Sequence, residues 1–303
     1  MALGYAGPLY ILAFDHRGSY SKGVFGFEGT PTGDDLVRAA DGKKLIWEGF
    51  SKAVDIGKDA ANGVLVDEQF GGEVARAAGE SGVTLAMPTE KSGQTEFDFE
   101  YGDDFPAHIE DFDPTFTKVL VRYNPDGDQE MNERQSARLA RLSDWLHENG
   151  RKFLFELLVP AEPDQLEQAG GDKHTYDVEI RPDLVVRTIA ECQAAGIEAD
   201  VWKIEGLDRR EDCVRVSEQA RAEGRDGVAC VVLGRGADSD AVANWLRVGA
   251  DVPGYIGFAV GRTIWMDPLK SWMAEDLSRD EATDQIAANY SFMVDAFTSA
   301  RDG

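Results

Sequence analysis

Short apolar runs rich in β-branched residues recur at fairly regular intervals along the 303-residue chain. They occupy residues 9–15, 63–68, 84–88, 118–123, 152–157, 201–205, 230–234 and 255–260. Segments with the apolar spacing of helices lie between them, for example residues 131–149 and 183–195. Strands that alternate with helices build a parallel sheet, and eight such units in one chain close into a barrel. The pattern therefore predicts an α/β fold, a single (β/α)₈ TIM barrel.

The alternative to a barrel is an open, doubly wound sheet, which also alternates strands and helices. The number of strand-like runs matches the barrel rule, and no GxGxxG sequence follows the first run as it does in dinucleotide-binding open sheets. No internal repeat, low-complexity segment or linker rich in Pro, Gly or Ser divides the chain. We therefore expect one domain, spanning residues 1–303.

The chain carries 56 acidic and 31 basic residues, a formal charge of −25. Such a field repels polyanions, so nucleic acids and anionic membrane surfaces are poor partners. No apolar run approaches the roughly 20 residues that cross a bilayer, and the amino terminus lacks the basic and apolar segments of a signal peptide. The composition predicts a cytoplasmic protein that binds a small molecule, and it is compatible with a homo-oligomer.

Neither the cysteines nor the histidines indicate a metal site. The three cysteines are odd in number and far apart, and the four histidines show neither HxH nor HExxH spacing. We therefore expect plain buried thiols, no metal, no cofactor and no zinc-dependent aldol chemistry.

Several of the apolar runs contain charged residues, which is unusual because an ionisable group in a barrel interior loses its hydration. Alternation along the strands places one set of these side chains on the inner face, near the carboxyl ends. The set comprises Asp15, Lys118, Arg122, Glu156, Lys203 and Glu205. Charged groups persist in such a place only if they are paired or used. The inner face therefore holds either an active site or a buried ion-pair network.

Lys203 is the candidate nucleophile because it lies within its run rather than at an end. A desolvated lysine beside a second cation, here Lys118, releases its proton more readily and can attack a carbonyl to form a Schiff base. Asp15 and Glu156 supply carboxyl groups that can protonate the carbinolamine hydroxyl and move a proton when a carbon–carbon bond breaks. In the alternative, these two carboxylates only neutralise the two lysines and hold the strands together.

The last two runs each lead into a glycine and an arginine, as Gly234-Arg235-Gly236 and as Gly261-Arg262. Loops after the seventh and eighth strands of a TIM barrel frequently bind phosphate through backbone N–H groups and a nearby arginine. The alternative is that both segments are ordinary solvent-exposed turns. The same Gly-Arg pattern at two adjacent strand ends favours phosphate binding. Arg122, on the inner face of its run, is a further candidate for substrate binding.

Two stretches, residues 89–117 and 160–182, break the regular alternation of strands and helices. Both follow predicted strands, which places them at the carboxyl face of the barrel. Barrel enzymes build their sites and lids on that face, so we expect both stretches near the substrate.

Longer strings along the chain carry a family resemblance. They are LAFDHRGSY at 12–20, LVDEQFGG at 65–72, EKSGQ at 90–94, KVLVRYNPDGD at 118–128, FLFELLVP at 153–160, DVWKIEGL at 200–207, VVLGRG at 231–236 and GFAVGRTIWMDPL at 257–269. Together they resemble the aldolase-type domain that follows a sugar kinase in bifunctional inositol-catabolic proteins. More distantly, they resemble class I tagatose 1,6-bisphosphate aldolases. The resemblance covers nearly the whole chain and implies a TIM-barrel aldolase.

The resemblance also implies roles and a reaction. It makes Lys203 the Schiff-base lysine, Asp15 the strand-one carboxylate, Lys118 a second lysine, Glu156 the acid/base, and Gly261 with Arg262 the phosphate site. The implied reaction splits 2-deoxy-5-keto-gluconate 6-phosphate into dihydroxyacetone phosphate and malonate semialdehyde. The kinase domain is not among these 303 residues, and LGRG stands where tagatose-type aldolases have a small Ser/Gly-rich loop. A class I aldolase for another ketose phosphate or bisphosphate, and a non-catalytic sugar-phosphate-binding domain that partners a kinase, remain as alternatives.

Overall fold

The computed structural model describes residues 2–56 and 61–301, and its strands form one closed parallel barrel in chain order. The strands are β1 (Leu9–Ala13), β2 (Asn62–Leu65), β3 (Thr84–Pro88), β4 (Phe116–Arg122), β5 (Lys152–Leu158), β6 (Val201–Glu205), β7 (Ala229–Leu233) and β8 (Tyr255–Val260). Strand β8 pairs with β1 and closes the barrel. The predicted α/β fold, a (β/α)₈ TIM barrel, is confirmed, and every predicted run overlaps one strand.

Helices surround the barrel. They are α1 (Gly18–Phe25), α2 (Asp34–Ala53), α3 (Glu68–Ser81), α4 (Phe105–Phe112), α5 (Gln129–Glu148), α6 (Pro163–Gln168), α7 (Lys173–Thr175), α8 (Arg181–Ala194), α9 (Arg210–Ala220), α10 (Ser239–Ala250), α11 (Arg262–Met273) and α12 (Arg279–Arg301). A π-helical segment, Tyr176–Ile180, joins α7 to α8. Within residues 2–56 and 61–301, no helix combines the length and apolarity needed to cross a membrane.

The second strand is shorter than its apolar run. The run predicted a strand up to Glu68, but β2 ends at Leu65 and Glu68 begins α3. Asp67 causes the change, because its Oδ2 accepts a hydrogen bond from Phe70 N at 2.8 Å and thereby caps the helix. Asp15 likewise lies just past the end of β1 rather than within it.

Apolar side chains fill the lower part of the barrel interior, which we call the apolar layer. It consists of Leu9, Ile11, Ala13, Leu65, Ala86, Phe116, Leu154, Val201, Ala229, Val231 and Ala259. None of these residues is more than 2% exposed. Side chains alternate along a strand, so the next inward positions on β4, β5 and β6 are Lys118, Glu156 and Lys203. The charged residues therefore lie directly above a dry layer.

Candidate active site

A cavity of about 660 Å³ opens at the carboxyl ends of the barrel strands. Its lining includes every site residue that the sequence singled out, namely Asp15, Lys118, Arg122, Glu156, Lys203, Gly234, Arg235, Gly236, Gly261 and Arg262. Alternation along β4, β5 and β6 sends their charged side chains inward, as predicted. The structure thus brings these residues into one site, while their chemical roles remain predictions.

Lys203 lies deep in this cavity, on β6. Its Nζ is 2.9 Å from Glu156 Oε2, and the same oxygen is 3.0 Å from Lys118 Nζ. Lys118 and Lys203 are 1% and 2% exposed. Sequence reasoning placed Lys118 beside Lys203 as a second cation. In the structure, Glu156 lies between the two ammonium groups and both share it.

Lys118 Nζ contacts three carboxylates. It donates hydrogen bonds to Asp15 Oδ2 at 2.8 Å and to Glu90 Oε1 at 2.9 Å. The Glu156 contact completes the set. The ammonium group thus forms two hydrogen bonds and one further ion pair, and all three of these partners are carboxylates. The charge of Lys118 is therefore shared among three buried carboxylates.

Burial and charge act in opposite directions on this cluster. Burial alone would raise the pKa values of Asp15 and Glu156, but the charges of Lys118 and Lys203 together outweigh burial and hold both pKa values below their usual range. Burial would lower the pKa of Lys118, but the three carboxylates around its ammonium group raise it. Burial does prevail at Glu90, whose pKa is raised despite the charges of Lys118 and Arg17. Glu90 is therefore the carboxyl group of the cluster that binds a proton most readily.

Glu90 and Arg17 are site residues that sequence reasoning did not assign. Arg17 Nη2 donates to the carbonyl oxygen of Glu90 at 2.6 Å, and its Nη1 donates to Glu100 Oε2 at 3.0 Å. Both residues line the cavity. Their strings, LAFDHRGSY and EKSGQ, carried part of the family resemblance, and that was the available signal. Neither residue lies in a strand, so alternation along strands gave no indication of them.

Lys43, on α2, also escaped sequence reasoning. It is fully buried, forms an ion pair with Asp67 at 2.6 Å, and donates to the carbonyl oxygens of Phe14 and His16. These bonds fix the backbone on both sides of Asp15. Burial lowers the pKa of His16 to about 4, so its ring is neutral at neutral pH.

Gly261, between β8 and α11, lies close to the backbone at the end of β1. Gly261 caps α11, and a Cβ at this position would lie 2.1 Å from the carbonyl oxygen of Ala13. Gly236, in the loop after β7, has φ +73°, and a Cβ there would lie 2.8 Å from Cζ of Arg262. The first N–H groups of a helix have no partner within the helix, so the start of α11 offers donors to an anion.

The two arginines near these glycines differ in their partners. Arg235 is compensated, because its Nε lies 3.0 Å from Glu205 Oε1 and its Nη1 lies 2.7 Å from Asp177 Oδ2. Arg262 donates to the carbonyl oxygen of Arg235 at 2.8 Å, and in the described part of the chain it forms no ion pair with a carboxylate. Arg262 therefore keeps a charge available for an anion, whereas the charge of Arg235 is already used.

Both stretches that break the regular alternation contribute to the cavity wall. Lys173 and Tyr176 come from residues 160–182, and Tyr176 is held there by a hydrogen bond to the carbonyl oxygen of Val159 at 2.9 Å. Gln94 comes from residues 89–117, and its carbonyl oxygen accepts a hydrogen bond from Arg122 Nη1 at 2.6 Å. Arg122 is thus attached to the wall and only partly exposed.

The three cysteines are free and buried, as expected. No group of three His, Cys, Asp or Glu side chains in residues 2–56 and 61–301 is arranged to hold a metal ion.

Comparison with known proteins places this barrel in a family. The model of the family described as "Uncharacterized protein conserved in bacteria (DUF2090)" matches residues 5–301. The chain belongs to the DUF2090 family. None of the curated proteins matches it significantly.

Solved structures resemble this DUF2090 member in fold. The fructose-bisphosphate aldolase of Plasmodium falciparum, solved in complex with TRAP and a small-molecule inhibitor, superimposes with a TM-score of 0.70 at 13% identity. The match covers 98% of this chain and 92% of the aldolase. Cgl0159 of Corynebacterium glutamicum gives a TM-score of 0.61 at 17% identity and covers 99% and 88% of the two chains. At such identities the likeness shows an aldolase-like TIM barrel fold.

Proposed function

We propose that this DUF2090 member is a class I aldolase in which Lys203 forms a Schiff base with the keto group of a phosphorylated keto sugar acid. The observation that carries the proposal is the contact of 2.9 Å between the buried Lys203 amine and Glu156, inside a cavity that Gly261 and Arg262 also line. A nucleophile, an acid/base group within hydrogen-bonding distance and an anion site are the parts that such a reaction needs.

The proposed reaction assigns a role to each group. The neutral Lys203 amine attacks the keto carbon, and Glu156 delivers a proton to the carbinolamine hydroxyl, which leaves as water. The resulting iminium withdraws electrons while Asp15 accepts the proton of the substrate hydroxyl and the carbon–carbon bond breaks. The enamine left on Lys203 is then protonated and hydrolysed, which frees the second product and the lysine.

The substrate that we propose is 2-deoxy-5-keto-gluconate 6-phosphate, with dihydroxyacetone phosphate and malonate semialdehyde as products. Strings spread over residues 12–269 support this choice through their resemblance to the aldolase-type domain of inositol catabolism. The cavity of about 660 Å³ lies within the usual range for small-molecule sites. Another ketose phosphate or bisphosphate would use the same groups, and release of triose phosphate from a panel of such compounds distinguishes them.

A second candidate is a non-catalytic sugar-phosphate-binding domain. The pairing of both buried lysines with carboxylates favours it, because structural ion-pair networks also have this form. Borohydride reduction in the presence of dihydroxyacetone phosphate decides between the two. An aldolase should retain a covalent adduct on Lys203, whereas a binding domain should retain none.

Replacing Arg262 with alanine should weaken the binding of phosphorylated substrates selectively. The loss of a charge-assisted contact to phosphate costs about 1.5 to 3 kcal/mol, or roughly ten- to a hundredfold in KM. Turnover of an unphosphorylated analogue should change little, and inorganic phosphate should inhibit the variant less than the wild type. Arg247→Ala, an exposed residue of α10 outside the cavity, is the matched control. Equal losses with both substrates would assign Arg262 to the fold or to the chemistry instead.

Chelators should leave the activity unchanged, because the proposed imine, rather than a metal ion, withdraws electrons from the substrate. The measurement is the initial cleavage rate after dialysis against EDTA, compared with the same sample after a divalent metal is restored. Activity that disappears in EDTA and returns with the metal would refute the class I mechanism.

A further inference from the structure

The position of Glu90 is fixed from two sides. Thr89, the residue before it, donates from both its backbone N–H and its hydroxyl to the carbonyl oxygen of Lys118, each at 2.9 Å. Arg17 binds the Glu90 carbonyl oxygen at 2.6 Å. Glu90 itself is 5% exposed. Its carboxyl group is therefore held against Lys118 by contacts that involve no substrate.

The two oxygens of the Glu90 carboxyl group differ in their surroundings. Oε1 accepts from Lys118 Nζ at 2.9 Å and lies 3.4 Å from Arg17 Nη2. Oε2 is buried and has no hydrogen-bond partner among the described residues. A buried carboxylate oxygen without a donor is unfavourable, and a proton bound there neutralises the buried charge.

A chain of short contacts connects Glu90 to the candidate nucleophile. Lys203 Nζ is 2.9 Å from Glu156 Oε2, which is 3.0 Å from Lys118 Nζ, which is 2.9 Å from Glu90 Oε1. A lysine must release a proton before it can attack a carbonyl. The four residues are each at most 5% exposed, so an acceptor within the chain of contacts spares the proton a transfer to solvent.

The groups that face Glu90 decide whether it can be that acceptor. Asp15 and Arg17 face it from the segment after β1, and Lys118 faces it from β4. Glu100 compensates Arg17 from the other side at 3.0 Å. Burial raises the pKa of Glu90, whereas the pKa of Asp15 is lowered. A mobile proton in this cluster therefore favours Glu90 over Asp15.

We propose that Glu90 stores the proton that Lys203 releases. Lys203 passes a proton to Glu156. Lys118 gives one of its own protons to Glu90 and takes the proton from Glu156. The total charge of the cluster does not change. A half-turn of the Glu90 carboxyl group then places the proton on the side that lacks a partner. The reverse transfer returns the proton through Glu156 to the carbinolamine hydroxyl, which leaves as water. Glu90 acts through Lys118 without touching the substrate, so it is a positioning residue.

This inference rests on the proposed Schiff-base function, and the test is Glu90→Gln. Glutamine has the shape of protonated glutamate but cannot accept a proton. The probe is dihydroxyacetone phosphate, and the readout is the initial rate of adduct formation with cyanoborohydride, followed by mass spectrometry between about pH 6 and about pH 9, where free lysine is still protonated.

The wild-type rate should stay nearly constant over this range, because the proton remains inside the cluster. In Glu90→Gln the proton must leave to solvent, so the rate should rise with pH by up to about tenfold per unit and approach the wild-type rate at the alkaline end. Glu90→Asp keeps a carboxyl group and should restore a flat profile, at a lower rate. It also serves as the test if Glu90→Gln does not fold.

A flat profile in Glu90→Gln, at any absolute rate, would overturn the proposal, and so would a sloping profile in Glu90→Asp. These results would leave the Schiff-base function intact, since the adduct still forms. Absence of any adduct in the wild type at every pH would instead remove the proposed function and this inference together.

Discussion

Replacing Lys203 with methionine should abolish both adduct formation with dihydroxyacetone phosphate and cleavage of the phosphorylated substrate. Methionine keeps most of the volume of the side chain but has no amine, so no Schiff base can form. We expect a loss of more than about a thousandfold, equivalent to more than about 4 kcal/mol of transition-state stabilisation. Triose-phosphate release measures the rate, and circular dichroism checks that the barrel remains folded.

Lys152→Met is the matched control for this experiment. Lys152 also lies in a barrel strand and is paired, with its Nζ 2.8 Å from Asp200 Oδ1, but it is at the start of β5 and does not line the cavity. Its loss should leave adduct formation unchanged. Retention of about a tenth of the wild-type rate in Lys203→Met, a difference of only about 1.4 kcal/mol, would remove Lys203 from the nucleophilic role.

Replacing Lys118 with methionine should have the largest effect on stability. Three buried carboxylates, from Asp15, Glu90 and Glu156, lie within 3.0 Å of its ammonium group and would lose their shared cation. Removing one partner of a buried ion pair typically costs about 3 to 5 kcal/mol. Urea denaturation at neutral pH measures the change in the free energy of unfolding. Lys44→Met, which breaks an exposed pair with Glu73, should leave the midpoint unchanged.

The pH dependence of this loss distinguishes charge from packing. In the wild type, the lowered pKa values of Asp15 and Glu156 contribute stability above the unfolded carboxyl pKa of about 4, and this contribution disappears as the pH falls. In Lys118→Met, burial without the lysine raises those pKa values, so the carboxyl groups bind protons as the pH falls. Their buried charge then no longer destabilises the variant. The difference in stability should therefore shrink between neutral pH and about pH 4. A difference that stays constant would mean that lost side-chain packing, not unpaired charge, destabilises the variant.

Sequence reasoning located the strand residues of the site well, because alternation and strand order are local properties. Phe116, Leu154 and Val201 determine which face of each strand is inward, and Lys118, Glu156 and Lys203 follow two positions later. Glu156 and Lys203 lie at the same level because they pair across β5 and β6, whereas Lys118 pairs with Leu154, one inward position below Glu156.

What sequence reasoning missed depends on contacts between distant segments. Arg17 and Glu90 are 73 positions apart, and Arg235 and Asp177 are 58 apart. Charge pairs of this kind form only when loops from different strands meet, and no periodic pattern encodes them. For the same reason, the sequence made Arg235 a phosphate-binding candidate without revealing that Glu205 already compensates it.

Three helices begin with only a short local signal in the sequence. Helices α1, α3 and α11 begin two to five positions after a strand end, inside strings that look like strand termini followed by glycine turns. Asp67 caps the start of α3, and Gly261 precedes the first residue of α11, so the signal is one residue rather than a repeating pattern. Apolar spacing over many residues is informative only once a helix has begun.

The apolar layer beneath Lys203 determines the route by which molecules enter and leave the cavity. Side chains from Leu9 to Ala259 close the barrel below the reacting groups, so everything enters and leaves by the mouth at the carboxyl ends of the strands. In the proposed reaction, the triose phosphate stays bound to Lys203 as an enamine after the carbon–carbon bond breaks, so the aldehyde is the first product free to leave. Because the apolar layer closes the bottom of the barrel, the aldehyde leaves by the same opening through which the hydrolytic water enters. A single opening therefore serves the substrate, the water and both products in turn.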